Sequence, residues 1–388
     1  METSAVVIFL ALLLVAAPFI SSVTKIPIVV VEILLGVLGA YAGILKAFAE
    51  FETFAHLGFL YLMFLVGMEV NLKELRFGKS SLLKRVILFF GAIYALSAIV
   101  TLYFNLNIVY VAVFSIFSLG ILMTLIKEYG RNEAWLSLAL NVGIVGELLS
   151  IIVMIVLSSV LKNGLNIHFF ITIAVLMLFF LSFALFFKGA KVFFWWFPEV
   201  KTAIMPYHDN KDIDIRLSMA LVFTMVTLMI IIGIDEVLGA FLAGLFLTSF
   251  FKHKTDLREK LSSFGFGFFI PIFFIYVGST LPVEAFTNPE VLKLSFLVSG
   301  TIILIRLVSS LAAYPKYLGL KNTVLFSLGN SIPLTFLIAV ATLAYNTNAI
   351  KDDEYYAIII AGLISAMILI VVIKILHTIF YTLKAAKK

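Results

Sequence analysis

The chain has 388 residues, 63% of them hydrophobic and only 13% charged, with a mean hydropathy of +1.15; soluble domains hold an apolar share of about 45–50%. A soluble globular protein is therefore excluded, and the formal charge of +6 is read as membrane orientation rather than nucleic-acid binding. There is no cysteine, which removes disulfides and thiolate metal sites.

Lipid offers no hydrogen bonds to backbone groups, so a chain this apolar spans as helices or as a closed barrel. Its long continuous apolar runs lack the alternation of a barrel, and the fold class is an all-α polytopic membrane protein. The opening METSAVVIFLALLL has no basic n-region and reads as a first helix rather than a cleaved signal. A window of about 20 apolar residues per crossing gives thirteen spans, near 4–22, 26–46, 53–71, 85–104, 108–126, 133–160, 167–187, 216–234, 236–251, 264–282, 291–313, 323–346 and 355–380.

Span two carries Glu32, placed toward the inner end and read as a helix-packing or interfacial residue. Span five carries Ser115, Ser118, Gly120 and Thr124. Span six contains NVGIVGELLSI with Glu147 at its centre. An ionisable side chain there costs about 2.5–3.5 kcal/mol on insertion scales, which makes Glu147 a functional candidate. Residues 188–215 form the longest connection; their basic residues with Trp195 and Trp196 suit a cytoplasmic interfacial linker. Asp235 and Glu236 fall in an outer turn and read as solvated. Span eleven holds Arg306 at a depth comparable to Glu147. Span twelve reads FSLGNSIPLTFL, with Gly329, Asn330, Ser331 and Pro333 together. About ten residues follow the last span, so no soluble C-terminal domain is expected.

With the N-terminus outside, only Lys46, Lys162, Lys293 and Lys351 fall on the outer side, whereas every other Lys and Arg except Arg306 falls inside or at an inner helix end. The positive-inside rule thus places the C-terminus in the cytoplasm and the chain in the cell's inner (plasma) membrane as a multi-pass protein.

Phe117-Ser118-Leu119-Gly120 recurs as Phe326-Ser327-Leu328-Gly329. At a similar offset, the Gly36 region of EILLGVLGA aligns with Gly244 in GAFLAGLFL, and MFLVG ending at Gly67 aligns with FIYVG ending at Gly278. The offset spans an odd number of crossings, so the second copy is inverted. This gives a first membrane repeat with an extra N-terminal helix in 1–187 and a second, inverted repeat in 216–384. Inverted repeats place a binding site near the midplane, at their interface.

Proline removes a backbone donor and clashes with the preceding turn, so span twelve should break near Gly329 and Pro333. Free carbonyls at such a break can coordinate a cation. Glu147 and Arg306 are deep charges of opposite sign, open to two readings: a buried structural ion pair, or a site where proton, metal cation and Arg306 compete for one carboxylate. Arginine stays charged in proteins, which would leave Glu147 as the sole proton carrier. A cation channel, a non-transporting sensor with a locked Glu147–Arg306 pair and an organic-anion carrier centred on Arg306 stay open as alternatives. An enzyme is not expected, since no nucleophile, metal cluster or phosphate loop is present, and no cofactor is called for beyond the transported ions.

Several strings together resemble the monovalent cation:proton antiporter superfamily, in particular its second branch of bacterial sodium/proton and potassium-efflux antiporters. They are IPIVVVEILLGVLG, LGFLYLMFLVGMEVNL, FSLGILMTLIKEYG, GAFLAGLFL, FFIPIFFIYVGSTL and the Pro333 helix, and the likeness covers essentially the whole chain. The resemblance implies crossed discontinuous helices, a dimer domain and a core domain, a homodimer, elevator-like alternating access and a role in pH homeostasis. It aligns Glu147 with the family's ion-binding aspartate. Ser118, Gly120, Asn330 and Ser331 are candidates to complete the coordination of Na+ or K+, and Arg306 falls near the basic residue of span eleven. Gly146 falls where electrogenic members hold a second aspartate, which argues for electroneutral exchange of one cation for one proton.

Overall fold

The computed structural model describes residues 2–24, 26–45, 49–69, 80–119, 122, 125–126, 133–164, 166–197, 199–200, 212–233, 236–251 and 255–385, and every regular element among them is helical. In chain order the helices are α1 (Glu2–Thr24), α2 (Ile28–Tyr41), α3 (Ala49–Glu69), α4 (Ser80–Tyr103), α5 (Val109–Ser115), α6 (Ala134–Asn163), α7 (Ile167–Trp196) and α8 (Ile213–Ile232). They continue as α9 (Glu236–Phe250), α10 (Thr255–Phe264), α11 (Ile270–Ser279), α12 (Pro289–Ala313), α13 (Pro315–Leu318), α14 (Leu320–Gly329), α15 (Leu334–Asn346) and α16 (Asp352–Ala385). Each of the thirteen expected spans overlaps at least one of these helices. Among the described residues, seven of these helices and the continuous stretch Asp256–Ser279, which joins α10 to α11, are long and apolar enough to cross a membrane, α14 and α15 form a further span bent by 43°, and α2 and α9 are shorter apolar helices.

Local chemistry sets several boundaries. Asn288 caps α12 by accepting from the Glu290 N–H at 3.0 Å, and Pro289 stands at the first helical position, where its missing N–H costs nothing. Gly233 ends α8 in the left-handed region, at φ 76°, which glycine adopts without a Cβ penalty. Between α10 and α11, Gly265–Phe269 form a π-helical turn that keeps the crossing continuous. Helix α7 runs through Lys188 to Trp196, so the start of the expected 188–215 linker is helical; Lys-Gly-Ala-Lys at 188–191 lacks the proline that would stop it. Trp195 and Trp196 are exposed.

The chain divides into two compact units. The first comprises Met1–Val15, Lys46–Lys73 and Lys162–Tyr276; the second comprises Ala16–Leu45, Glu74–Leu161 and Val277–Lys388. Within the first unit α3 lies against α9 at backbone contact. A Cβ on Gly67 would strike the Phe241 carbonyl, and one on Gly244 the Phe64 carbonyl. The π turn lies over the same helix: Gly265 faces the Tyr61 ring, whose hydroxyl donates to the Leu261 carbonyl at 3.0 Å.

Within the second unit α2 meets α11 in the same way, with Gly278 against the Ile33 carbonyl. Ile33 and Gly278 are the repeat counterparts of Phe241 and Gly67. One contact is therefore made twice with the roles of the two repeats exchanged, and in each case a glycine trades about 1 kcal/mol of helix propensity for close approach of two backbones, as is common between membrane helices. The second unit also contains α4, α5, α6, α12, α14, α15 and α16, and α12 is joined to α16 through Ser299 and Ser365, 2.8 Å apart.

Candidate functional site

Helix α5 stops at Ser115, and Ile116 turns extended at φ −68°, ψ 151°. A helix that ends inside an apolar bundle leaves its last carbonyls and the following N–H groups without intrahelical partners, and each must be satisfied. The carbonyls are met by Arg306 of α12: Nη1 donates to Phe114 O at 3.1 Å and Nη2 donates to Ile116 O. The N–H groups are met by α6: Phe117 N donates to Ser150 Oγ at 2.7 Å, and Leu119 N donates to Glu147 Oε1 at 3.3 Å. The Ser150 hydroxyl in turn donates to the Gly146 carbonyl at 2.8 Å.

The second interruption lies between Gly329 and Leu334. Here the backbone is satisfied locally. Asn330 N and Nδ2 both donate to Phe326 O, at 3.2 and 3.0 Å, while Ser331 Oγ donates to Ser327 O at 2.7 Å. Pro333 has no N–H to satisfy. The Asn330 carbonyl is left over, and Arg306 Nε donates to it at 3.3 Å. One fully buried guanidinium thus holds the C-terminal ends of both broken helices, where carbonyl dipoles favour a cation. Its Cζ also lies 3.9 Å from the centre of the Phe117 ring. Phe117 and its repeat counterpart Phe326 both pack on Phe89, with ring centres 6.1 and 5.4 Å away.

Helix α6 is the surface on which both interruptions rest. Gly146 makes room for Phe117, since a Cβ there would lie 2.5 Å from Cγ of the ring. A Cβ on Gly143 would lie 2.7 Å from the Leu119 side chain and 3.4 Å from Asn330 Oδ1. Glu147, 1% exposed, therefore stands one turn from Gly143, on a helix that touches both breaks. Among the described residues, every hydrogen bond that Arg306 donates goes to a main-chain carbonyl. The arginine answers the helix ends, and the carboxylate is held through Leu119 N–H. Carboxylate, carbonyl and hydroxyl oxygens gathered in this way are hard donors, the ligand type of alkali and other hard cations.

Of the expected residues, Glu147, Arg306, Asn330, Ser331 and Ser118 come together here. Ser118 is half-buried in the extended segment between Phe117 and Leu119. Gly329 closes α14 and faces Trp135, and Pro333 immediately precedes α15. Gly120 and Thr124 lie outside the described residues, as does Asp235. Glu32 is buried in α2 and takes no part in these hydrogen bonds. Glu236 pairs with His56 at 2.8 Å instead of standing alone in solvent. Ser150 and Phe117 were not singled out from sequence; Ser150 sits one turn beyond Glu147, and Phe117 opens the repeated FSLG, so both carried a signal.

The sequence profile described as sodium/hydrogen exchanger, transmembrane, matches residues 8–378. A Bacillus subtilis protein provisionally named Na(+)/H(+) antiporter YjbQ is 26% identical over 371 residues, covering 88% of this chain and 58% of that protein; the chain thus spans little more than half of that relative's length. The Na(+)/H(+) antiporter of Enterococcus hirae is 24% identical, with 94% of this chain and 96% of that protein covered. The structure of the sodium proton antiporter MjNhaP1 from Methanocaldococcus jannaschii superimposes with a TM-score of 0.66 over 96% of this chain and 97% of that one, at 16% identity, a likeness of fold.

Proposed function

The chain belongs to the transmembrane sodium/hydrogen exchanger family, and from that premise we propose that it is a secondary antiporter exchanging a monovalent cation, Na+ or K+, for H+ by alternating access. Glu147 is the shared carboxylate, protonated in one half of the cycle and cation-bound in the other. Oxygens of Ser118, Asn330 and Ser331 complete the coordination. The observation that carries this reading is the placement of Glu147: an acid buried among apolar spans, aimed at the unwound segment after α5, with the neighbouring arginine engaged by carbonyls. That engagement speaks against a sensor locked by a Glu147–Arg306 pair. A single carboxylate beside Gly146 supports electroneutral exchange, and the Lys/Arg distribution supports a cytoplasmic C-terminus.

The test is reconstitution into vesicles with an imposed pH gradient. Addition of Na+ or K+ should dissipate the gradient, and Glu147→Gln should abolish that response while the protein still folds, because glutamine keeps an acceptor for the Leu119 N–H. A gradient untouched by either cation, or normal transport by Glu147→Gln, overturns the mechanism.

A further inference from the structure

Where α4 begins and α12 ends, Lys84, Arg85, Leu88, Leu311, Ala313 and Lys316 line a cleft of about 520 Å³ in the second unit. Among the described residues, three cations and no carboxylate line it. Arg85 Nη1 donates to the Ala313 carbonyl at 2.8 Å, which fixes this guanidinium at the C-terminal end of α12 and leaves its other donors for a ligand. Lys84 and Lys316 are exposed, and among the described residues neither has a carboxylate partner. The cleft changes character along its length. Leu88 and Leu311 are exposed at 51% and 39%; Ile87 beside Leu88 on α4 is also exposed, and farther from the cleft α12 exposes Val308 and Leu304, apolar faces of the kind that meet acyl chains.

A group that fits both ends has an anionic head able to accept several N–H donors and an apolar body that follows the helices outward. A free anion would satisfy the lysines alone and leave the leucine wall without a partner. We propose that this cleft binds the phosphodiester of an anionic phospholipid from the cytoplasmic leaflet. The phosphate oxygens accept from Lys84, Lys316 and the remaining Arg85 donors, and an acyl chain lies along Leu88 and Leu311. Basic clefts between transmembrane helices at that surface are the usual seats of such headgroups. The inference is independent of ion exchange at Glu147; it needs only that these helix ends lie at the membrane surface.

The experiment uses the full chain purified in non-ionic detergent. Retained lipid is read by native mass spectrometry, and thermal unfolding is followed with phosphatidylglycerol, phosphatidylcholine or inorganic phosphate added. The protein should retain phosphatidylglycerol and melt higher with it than with either of the others. Lys84→Ala with Lys316→Ala should weaken that binding about thirtyfold, taking about 1 kcal/mol for each cation at the surface. Lys293→Ala, an exposed lysine at the other end of α12, should leave it unchanged. The single variants Lys84→Ala and Lys316→Ala give the same answer in smaller steps if the double variant folds poorly. Equal retention by wild type and lysine variants overturns the site, as does equal binding of phosphatidylcholine. Protection by inorganic phosphate as strong as by lipid overturns the lipid as occupant.

Discussion

Arg306 on α12 donates Nη1 to the main-chain carbonyl of Phe114, 3.1 Å away on the last turn of α5. Arg306 is thereby a backbone clamp. It reaches two helix interruptions at once, and Glu147 stays a separate element of the site, tied to the same unwound segment through the Leu119 N–H. The two charges have different tasks, and substitutions should separate them.

Replacing Arg306 with Met leaves three buried carbonyls without donors. Each unsatisfied group costs about 1–3 kcal/mol, so the loss is about 3 kcal/mol or more. The expected result is a large fall in melting temperature that Glu147→Gln in the same chain does not reverse. Arg306→Lys keeps the charge but loses the planar fork, and should fall between wild type and Arg306→Met. Rescue by Glu147→Gln would mean that the arginine is there to neutralise the acid, contrary to the hydrogen bonds it makes.

A second prediction concerns Gly146. A Cβ there would lie 2.5–2.8 Å from Phe117 Cγ and both Cδ atoms, and those are the rigid part of the ring. Gly146→Ala should cost about 1–3 kcal/mol, the range for overpacking, and should push Phe117 off Arg306. Phe117→Leu in the same chain should recover much of the loss, a non-additivity open to a double-mutant cycle of melting temperatures. A second carboxylate at 146 therefore requires a smaller residue at 117. Gly146→Asp alone should impair transport without making it electrogenic, which a current measurement across a supported membrane would detect.

The twin glycine contacts give a third prediction. Gly67 faces the Phe241 carbonyl and Gly278 the Ile33 carbonyl, so a Cβ at either meets immobile backbone in place of a side chain that can turn aside. Gly67→Ala and Gly278→Ala should each lower the melting temperature clearly and by similar amounts. Gly300→Ala in α12, where a Cβ meets nothing within 4 Å, should be neutral or slightly stabilising through helix propensity. A marked asymmetry between the first two variants would argue that the repeats do not share this contact.

The spans were legible because lipid allows no other backbone solution for apolar runs of this length, and Glu147 because a buried acid is costly enough to stand out. The interruption before Leu334 was legible through Pro333. The one after Ser115 was not legible from its own residues: Phe-Ser-Leu-Gly has no proline, and it was its repetition at 326–329, together with the family resemblance of FSLGILMTLIKEYG, that pointed to it. What sequence could not show is that Arg306 binds carbonyls. Every residue carries a carbonyl, so residue type does not mark an acceptor such as that of Phe114 or Ile116, and the eye goes instead to the opposite charge. Ser150 escaped for a related reason: its place one turn beyond Glu147 puts it near the site, but its role is to accept from the main-chain N–H of Phe117, a donor that residue type does not mark.

The last prediction follows from one carboxylate serving two ions. A cation is bound by the deprotonated acid, so protons and cations compete. Below the carboxyl's own pKa the apparent KM for Na+ or K+ should rise about tenfold for each unit fall in pH, while the maximal rate at saturating cation holds steady. Above that pKa the cation KM should level off, and transport should slow because the return half-cycle lacks protons. The measurement is a family of initial rates in vesicles with equal pH on both sides and a small imposed cation gradient. Glu147→Asp keeps the titrating group but withdraws it by one C–C bond, about 1.5 Å, from the oxygens around it. It should retain the competitive pattern with a higher KM for the cation. A cation KM independent of pH in the wild type would show that proton and cation occupy different groups, and would remove Glu147 as the shared site.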